Sequence, residues 1–347
     1  MSMTPNIVVV GAGAIGSTLV GWLFPHYTNI YLLARGEGAR VIKEQGLRLY
    51  PKEKSDEIVT FKVNVIESLT EIANPEILII AVKNYDLDAT SRELRAQLGS
   101  AEPIVVGIQN GAKNQSILPQ YFTKVLYGVI SFNAWRDAPG VIGHDPTGYI
   151  VLGTPTNDHV EELKLVSQLL NLGLHCSITD RLQDAVHTKL IINQANALMT
   201  IVGFQQRPIK SFKILIKLTL SLFLECIQLV QAAGFHEYRI GKLPSWKFVQ
   251  FGAKMPAGLA TVFYKMNSKK VGLNSMSQDV FGGRTNTEIE SLTGYMIELA
   301  HRTNFPAPIN ETIYEIAKER FGPNFKPISE IDLWEKVQQR IHSTKNK

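Results

Sequence analysis

The chain has 347 residues, of which 45% are hydrophobic and 19% charged, and a formal net charge of +5. That length suits two domains, each with a core of its own, and the composition is that of a soluble globular chain rather than a disordered or fibrous one. The positive charge is scattered and partly terminal, in Lys345 and Lys347, without the clustered basic stripe and interleaved aromatics of a nucleic-acid binder, so no nucleic acid is expected as a partner.

The first element is the apolar, β-branched run Ile7 to Val10, which predicts a buried strand. It leads directly into Gly11, Ala12, Gly13, Ala14, Ile15 and Gly16, after which Ser17 to Phe24 carries helical apolar spacing. A strand, a glycine turn and a helix in that order predict a dinucleotide site formed by these six residues. Gly11 permits the turn, Gly13 lets the backbone approach a pyrophosphate, and Gly16 lets the helix pack on the strand with the phosphates at its N-terminus. The competing reading is a glycine turn that serves packing alone.

Asn29 to Arg35 predicts a second buried strand, whose end is where an NAD site presents an acid to the ribose hydroxyls. Arg35 stands there instead, and a guanidinium attracts a 2′-phosphate that an acid would repel, so NADP is expected over NAD. The alternative is an ordinary solvated cation, with Glu37 as a less well placed ribose acceptor.

Further strands are predicted at Ile58 to Ile66, Glu76 to Lys83 and Pro103 to Gly111, with helical spacing between the later ones, which implies a mostly parallel sheet covered on both faces. Lys83 and Asn110 close two of these strands, at the carboxyl ends where doubly wound sheets hold ligands. From Lys124 to Thr154 the texture becomes glycine-punctuated and extended, which suggests antiparallel additions at the sheet edge. Strand signals stop after about Asp180, and helices are predicted at Leu182 to Val202, Phe212 to Ala233, Glu288 to Arg302 and Glu311 to Phe321, the last two separated by Pro306 and Pro308. The expected organisation is a Rossmann α/β domain over 1–181 and an all-α domain over 182–347.

Phe212 to Ala233 is apolar but interrupted by Lys213, Lys217, Glu225 and Gln228, so it reads as a core helix and no membrane partner is expected. The N-terminal apolar run lacks a basic leader and is accounted for by the nucleotide turn. Cys176 and Cys226 are far apart among apolar neighbours, which suits reduced core thiols in a cytoplasmic protein, and no metal-ligand spacing occurs.

Chemistry needs residues that can face a nicotinamide. Lys189, Asn193 and Asn196 fall at i, i+4 and i+7, hence on one helical face. A solvated stripe is the plain explanation, but His187, Thr188, Asn193 and Asn196 crowd poor helix formers into one helix, a cost that a site-facing polar stripe explains. Glu288 stands three residues after Thr285, which fits a capping box as well as a catalytic carboxylate. Ser275, in NSMSQD, is a weaker candidate taken alone.

In order, GAGAIG, LLAR, VKNYD with Lys83, QNG with Asn110, HTKLIIN with Lys189 and Asn193, NSMSQD with Ser275, TEIE with Glu288 and FPAPINETIYEI resemble the ketopantoate reductase (2-dehydropantoate 2-reductase) family over nearly the whole chain. The resemblance implies an N-terminal NADP domain, a helical domain similar to that of 6-phosphogluconate dehydrogenases, and an active site in the cleft between them. It implies Lys189 as the catalytic lysine and Glu288 as a glutamate near cofactor and substrate. By the same carry-over Asn110 and Ala134 contact the cofactor, and Asn193 and Ser275 bind substrate. The implied reaction is NADPH-dependent reduction of ketopantoate to pantoate in pantothenate synthesis, with Lys189 as proton donor. Asn110 and Asn193 would hold the carbonyl and hydroxyl without adding charge.

The chain departs from the family pattern on the substrate side. Where a second Asn and a Pro usually follow, it has Ala197 and Leu198, with Asn196 one place early and so rotated by about 100°. His187 replaces a common aromatic, the spacing from Met276 to Glu288 is one residue long, and Leu243 to Lys270 is expanded. Reduction of another 2-oxo acid or an opine-type condensation therefore stays open; a non-catalytic NADP(H) sensor is a separate alternative, against which the retention of Lys189 and Glu288 argues. The expanded segment is open to a role as a lid or as a subunit contact in a homodimer.

Overall fold

The computed structural model describes residues 4–241, 243–255 and 274–345. The chain divides into two units, Met1–Gln183 and Asp184–Lys347.

The first unit runs β1 (Ile7–Val10), α1 (Ala14–Leu23), β2 (Ile30–Leu33), α2 (Gly36–Gln45), β3 (Leu47–Pro51), β4 (Val59–Phe61), β5 (Asn64–Ile66), β6 (Ile77–Ile80), α3 (Asn84–Leu98), β7 (Ile104–Gly107), α4 (Asn114–Ile117), β8 (Val125–Ile130), β9 (Ala134–Ala138), β10 (Val141–His144), β11 (Tyr149–Gly153), α5 (Val160–Leu170) and β12 (His175–Ile178). Eight strands form one sheet in the order β12-β11-β8-β7-β6-β1-β2-β5. All its neighbours are parallel except β8 with β11. The central strands β1, β6 and β7 are buried along their whole length, as a parallel sheet covered on both faces requires. Each buried Val or Ile contributes roughly 1.5–3 kcal/mol, so these short runs anchor the unit.

The run from Ile58 to Ile66 is not one strand. Phe61 ends β4, which pairs antiparallel with β3, whereas Asn64 opens β5, which pairs parallel with β2. The segment thus passes between the large sheet and a second, four-stranded sheet ordered β4-β3-β10-β9. Likewise Lys124 to Thr154 is divided, with β8 and β11 in the large sheet and β9 and β10 in the small one. Trp22 of α1 packs at a tilt against Phe132 and meets His144 edge-on, which ties α1 to the small sheet.

The second unit is helical among its described residues: α6 (Leu182–Ile201), which starts two residues before the division, α7 (Phe212–Ala232), α8 (Trp246–Lys254), α9 (Ser275–Phe281), α10 (Tyr295–Thr303), α11 (Pro308–Arg320) and α12 (Glu330–Lys345). A π-helical turn, Glu290–Gly294, leads into α10. Leu190, Leu198, Leu215, Leu222, Leu229, Met296, Ile313 and Val337 meet in one core. Helix α7 is long and apolar enough to cross a membrane, with mean hydropathy 1.7 over its most apolar window, yet here its Leu215, Leu218, Leu222 and Leu229 are all fully buried in that core. Of the expanded segment Leu243 to Lys270, residues 256–270 lie outside the described residues.

Candidate active site

In the first unit the turn after β1 is shaped by two glycines. Gly11 has φ +108°, a conformation side chains rarely adopt, and a Cβ on Gly16 would stand 2.1 Å from the Gly11 carbonyl oxygen and 3.2 Å from the Ala81 Cβ. Gly16 therefore lets α1 start directly against the ends of β1 and β6. A Cβ on Gly13 would meet nothing within 4 Å, so this residue, the N-cap of α1, faces open space. Helix α1 begins at Ala14, earlier than the apolar spacing suggested, which places Ala14, Ile15 and Gly16 in its first turn with N–H groups directed out of the helix end. Ala12, Ala14, Ile15 and Ala134 are half-buried against the first core, Ala134 as the opening residue of β9.

Lys83 is the N-cap of α3 and follows β6, while Asn110 follows β7. The two strand ends are laced together by residues the sequence reading passed over. Asn84 Nδ2 donates to the Asn110 carbonyl at 2.7 Å, and Gln109 Nε2 donates to the carbonyls of Ile80 at 2.7 Å and Val82 at 3.1 Å. The Asn84 side-chain oxygen is buried and has no hydrogen-bond partner among the described residues. Gly cradle, helix start and laced strand ends fit the pyrophosphate-binding arrangement of a dinucleotide fold.

Arg35 is the N-cap of α2 and lies exposed at the end of β2. Its guanidinium grips Glu93 of α3 with both terminal nitrogens, Nη1 to Oε2 at 2.8 Å and Nη2 to Oε1. Arg35 holds the Glu93 carboxyl below the usual carboxylate range. Glu37 is exposed in the first turn of α2.

In the second unit α6 carries Lys189, half-buried, and Asn193, 7% exposed. The polar stripe of this helix divides by function. His187 is fully buried, its ring stacked on Phe235 at 3.7 Å and its Nε2 2.9 Å from the Tyr295 hydroxyl. Thr188 Oγ1 accepts from the Tyr238 backbone N–H at 3.0 Å. Those two residues hold the fold together, so they do not belong to a site-facing stripe. Ala197 and Leu198 are also fully buried, in the apolar core.

Helix α9 is pinned to the same helix. Asn274, its N-cap, donates to the Asn196 carbonyl at 3.4 Å, and Ser277 Oγ lies 2.8 Å from Thr200 Oγ1. This fixes Ser275, whose hydroxyl donates to Glu288 Oε2 at 3.3 Å. Glu288 is 3% exposed. It is not a capping-box residue of Thr285, because the helix starts later: its carbonyl accepts from Leu292 N at 3.0 Å, and Thr287, not Thr285, accepts from the Ile289 amide at 3.4 Å. The π turn that follows is tied to α6 by Thr293 Oγ1 donating to Gln194 Oε1 at 3.0 Å, both side chains buried. The second unit thus joins Ser275 and Glu288 directly and attaches both, through Asn274, Thr200 and Gln194, to the helix that bears Lys189 and Asn193. Among the described residues no three His, Cys, Asp or Glu side chains gather as metal ligands would.

A doubly wound sheet whose first strand runs through this glycine turn into a helix is the fold of a dinucleotide-binding protein. The family model "Ketopantoate reductase PanE/ApbA" matches residues 7–157 and "Ketopantoate reductase PanE/ApbA C terminal" matches 181–321, and the chain belongs to this family of NAD(P)H-dependent oxidoreductases. It is 24% identical over 320 residues to a 2-dehydropantoate 2-reductase of Pyrococcus abyssi, covering 90% of this chain and 97% of that protein. Among solved structures it resembles a 2-dehydropantoate 2-reductase of Geobacter metallireducens, with a TM-score of 0.74 at 22% identity over 90% of this chain and 99% of that one. A D-mandelate dehydrogenase in complex with NADH shares the fold, with a TM-score of 0.70 at 17% identity over 89% of this chain and 96% of that one.

Proposed function

We propose that this chain reduces 2-dehydropantoate to pantoate with NADPH, the step that supplies pantoate for pantothenate synthesis, in the cytoplasm. The observation that carries the reading is the buried Glu288 carboxylate, bonded by Ser275 and braced onto the helix of Lys189 and Asn193. So much polar structure around one acid is costly unless the acid has work to do.

The cofactor would be held by Gly11 to Gly16, Arg35, Lys83, Asn110 and Ala134, with Arg35 toward the 2′-phosphate. When bound, it supplies the hydride for the keto carbon. Lys189, as an ammonium, stabilises the negative charge that develops on the carbonyl oxygen and delivers the proton there. Asn193 orients the oxygen without adding charge, Ser275 bonds the substrate carboxylate, and Glu288 accepts from the nascent hydroxyl or orients Lys189.

A second reading, reduction of a different 2-oxo acid, is favoured by one observation. Position 197 is an Ala sealed in the core, so the amide that the family pattern supplies there is absent and Asn196 stands one place early.

A panel of 2-oxo acids assayed with NADPH and NADH separates these readings. Fastest turnover on 2-dehydropantoate supports the first and faster turnover on another acid the second, while tight NADPH binding without turnover on any acid identifies a sensor. Lys189→Ala is expected to lower kcat by roughly a hundredfold or more while NADPH still binds. An unchanged kcat removes Lys189 from the mechanism.

A further inference from the structure

We propose that Glu93 is a specificity-determining residue, which competes with the cofactor's 2′-phosphate for Arg35 and lets the site accept NADH as well as NADPH. This rests on the reading of Arg35 as the group that meets that phosphate.

An NAD site has an acid at the end of its second strand, and an NADP site has a cation there. This chain brings both to one place from distant parts of its sequence. Arg35 comes from the end of β2, and Glu93 comes from the middle of α3, 58 residues away. They pair fork to fork, the geometry by which guanidinium also grips a phosphate, so carboxylate and phosphate want the same two nitrogens. Glu93 does not merely happen to pass by. Gln97 Nε2 donates to Glu93 Oε1 at 3.1 Å, and Gln97 Oε1 in turn accepts from Ser68 Oγ at 3.0 Å and Leu69 N at 2.8 Å, so the carboxylate is fastened to the segment that follows β5. Both side chains are about half exposed, 51% for Arg35 and 45% for Glu93, which leaves the pair accessible to a ligand.

The consequences differ for the two dinucleotides. A 2′-phosphate must either displace Glu93 from Arg35 or share the guanidinium with it, and either way a dianion comes to rest near a carboxylate. The 2′-hydroxyl of NADH is a donor, which a carboxylate accepts with its Arg35 pairing intact. Glu93 therefore takes over the role of the acid that β2 lacks, and it weakens the preference for NADPH that Arg35 creates.

The test is the pair of dissociation constants for NADPH and NADH, measured by fluorescence titration of the full chain and of its Glu93→Gln and Arg35→Ala variants, with kcat/KM for both cofactors as a second readout. Glu93→Gln is expected to tighten NADPH and leave NADH equal or weaker, raising the preference for NADPH by roughly three- to tenfold, the scale of one like charge removed from a half-exposed site. Arg35→Ala is expected to weaken NADPH and spare NADH. If Arg35→Ala weakens NADPH while Glu93→Gln leaves the ratio unchanged, or shifts both constants equally, the role of Glu93 is overturned and that of Arg35 stands. If Arg35→Ala leaves NADPH binding unchanged, or neither dinucleotide binds, the cofactor reading falls and this inference falls with it.

Discussion

The Glu288 carboxylate accepts from the Ser275 hydroxyl at 3.3 Å in a setting that is almost closed to water. A buried carboxylate so placed is sensitive both to its charge and to its partner. Glu288→Gln keeps shape and removes charge, and is expected to lower kcat by roughly a hundredfold with little change in NADPH affinity. Ser275→Ala is expected mainly to raise KM for the oxo acid, by about tenfold, the scale of one hydrogen bond to a charged group. Steady-state kinetics on both variants checks the division, and a kcat unaffected by Glu288→Gln would relegate that residue to structure. Both residues were legible in the sequence as members of a motif series, but their partnership was not, since 13 positions separate them. Of the two readings of Glu288, the capping box is not the one formed: a TxxE spacing is common, and the helix it announces opens with a π turn instead. His187 and Thr188 misled for a related reason: polar residues on a helix also serve buried packing, and only the presence of Tyr295, Phe235 and Tyr238 tells the two apart.

At the scale of elements, the interruptions that made α7 look unlike a membrane span include a structural device. Glu225, 7% exposed, accepts from the backbone amides of Ile309 and Asn310, both at 2.9 Å, and from Asn310 Nδ2 at 2.8 Å, capping the N-terminus of α11 from a neighbouring helix. Pro308 at the first position of α11 lacks an amide hydrogen of its own, so the cap serves the next two donors. The composition revealed an acid in an apolar helix, and its partner 84 residues away lay beyond any local pattern. Glu225→Ala removes an acceptor from buried donors and is expected to destabilise the chain by roughly 2–4 kcal/mol, measured by urea denaturation. Burial pushes the Glu225 carboxyl up to about 7 from 4.5, against the lowering effect of its three donors. The folded chain then retains a proton that the unfolded chain releases, so this group's contribution is full below about pH 4.5 and declines as pH rises toward 7. Glu225→Gln does not titrate, and across that window its stability relative to the parent should rise with pH, by up to about 1.4 kcal/mol per unit. Parallel profiles for the two proteins would show that Glu225 is not titrating there.

On the scale of the whole molecule, the sequence showed an α/β half and a helical half because strand and helix periodicities are local. It did not show the second sheet, because membership of a sheet is decided by distant partners: Ile58 to Ile66 has one uninterrupted β-like texture, yet β4 finds β3 and β5 finds β2. The two cores share no residue, one drawing on positions from Ile7 to Cys176 and the other on positions from Leu190 to Val337. A dinucleotide held, as proposed above, by Gly11 to Gly16, Arg35, Lys83 and Asn110 would therefore act first on the stability of the unit that holds it. By linkage, NADPH at a hundred times its dissociation constant adds about 2.7 kcal/mol to the binding-competent fold. Hydrogen exchange followed by segment should show NADPH slowing exchange in β1, α1, β6 and β7, with α7 and α11 nearly unaffected. In Glu225→Gln without cofactor the order should reverse, with faster exchange in α7 and α11 and NADPH affinity unchanged. Equal protection of α7 and β1 by NADPH would mean that the units open as one cooperative body or that residues beyond the first unit, Glu288 foremost, contribute to holding the cofactor, and Glu288→Gln separates these two causes because only the second lowers NADPH affinity.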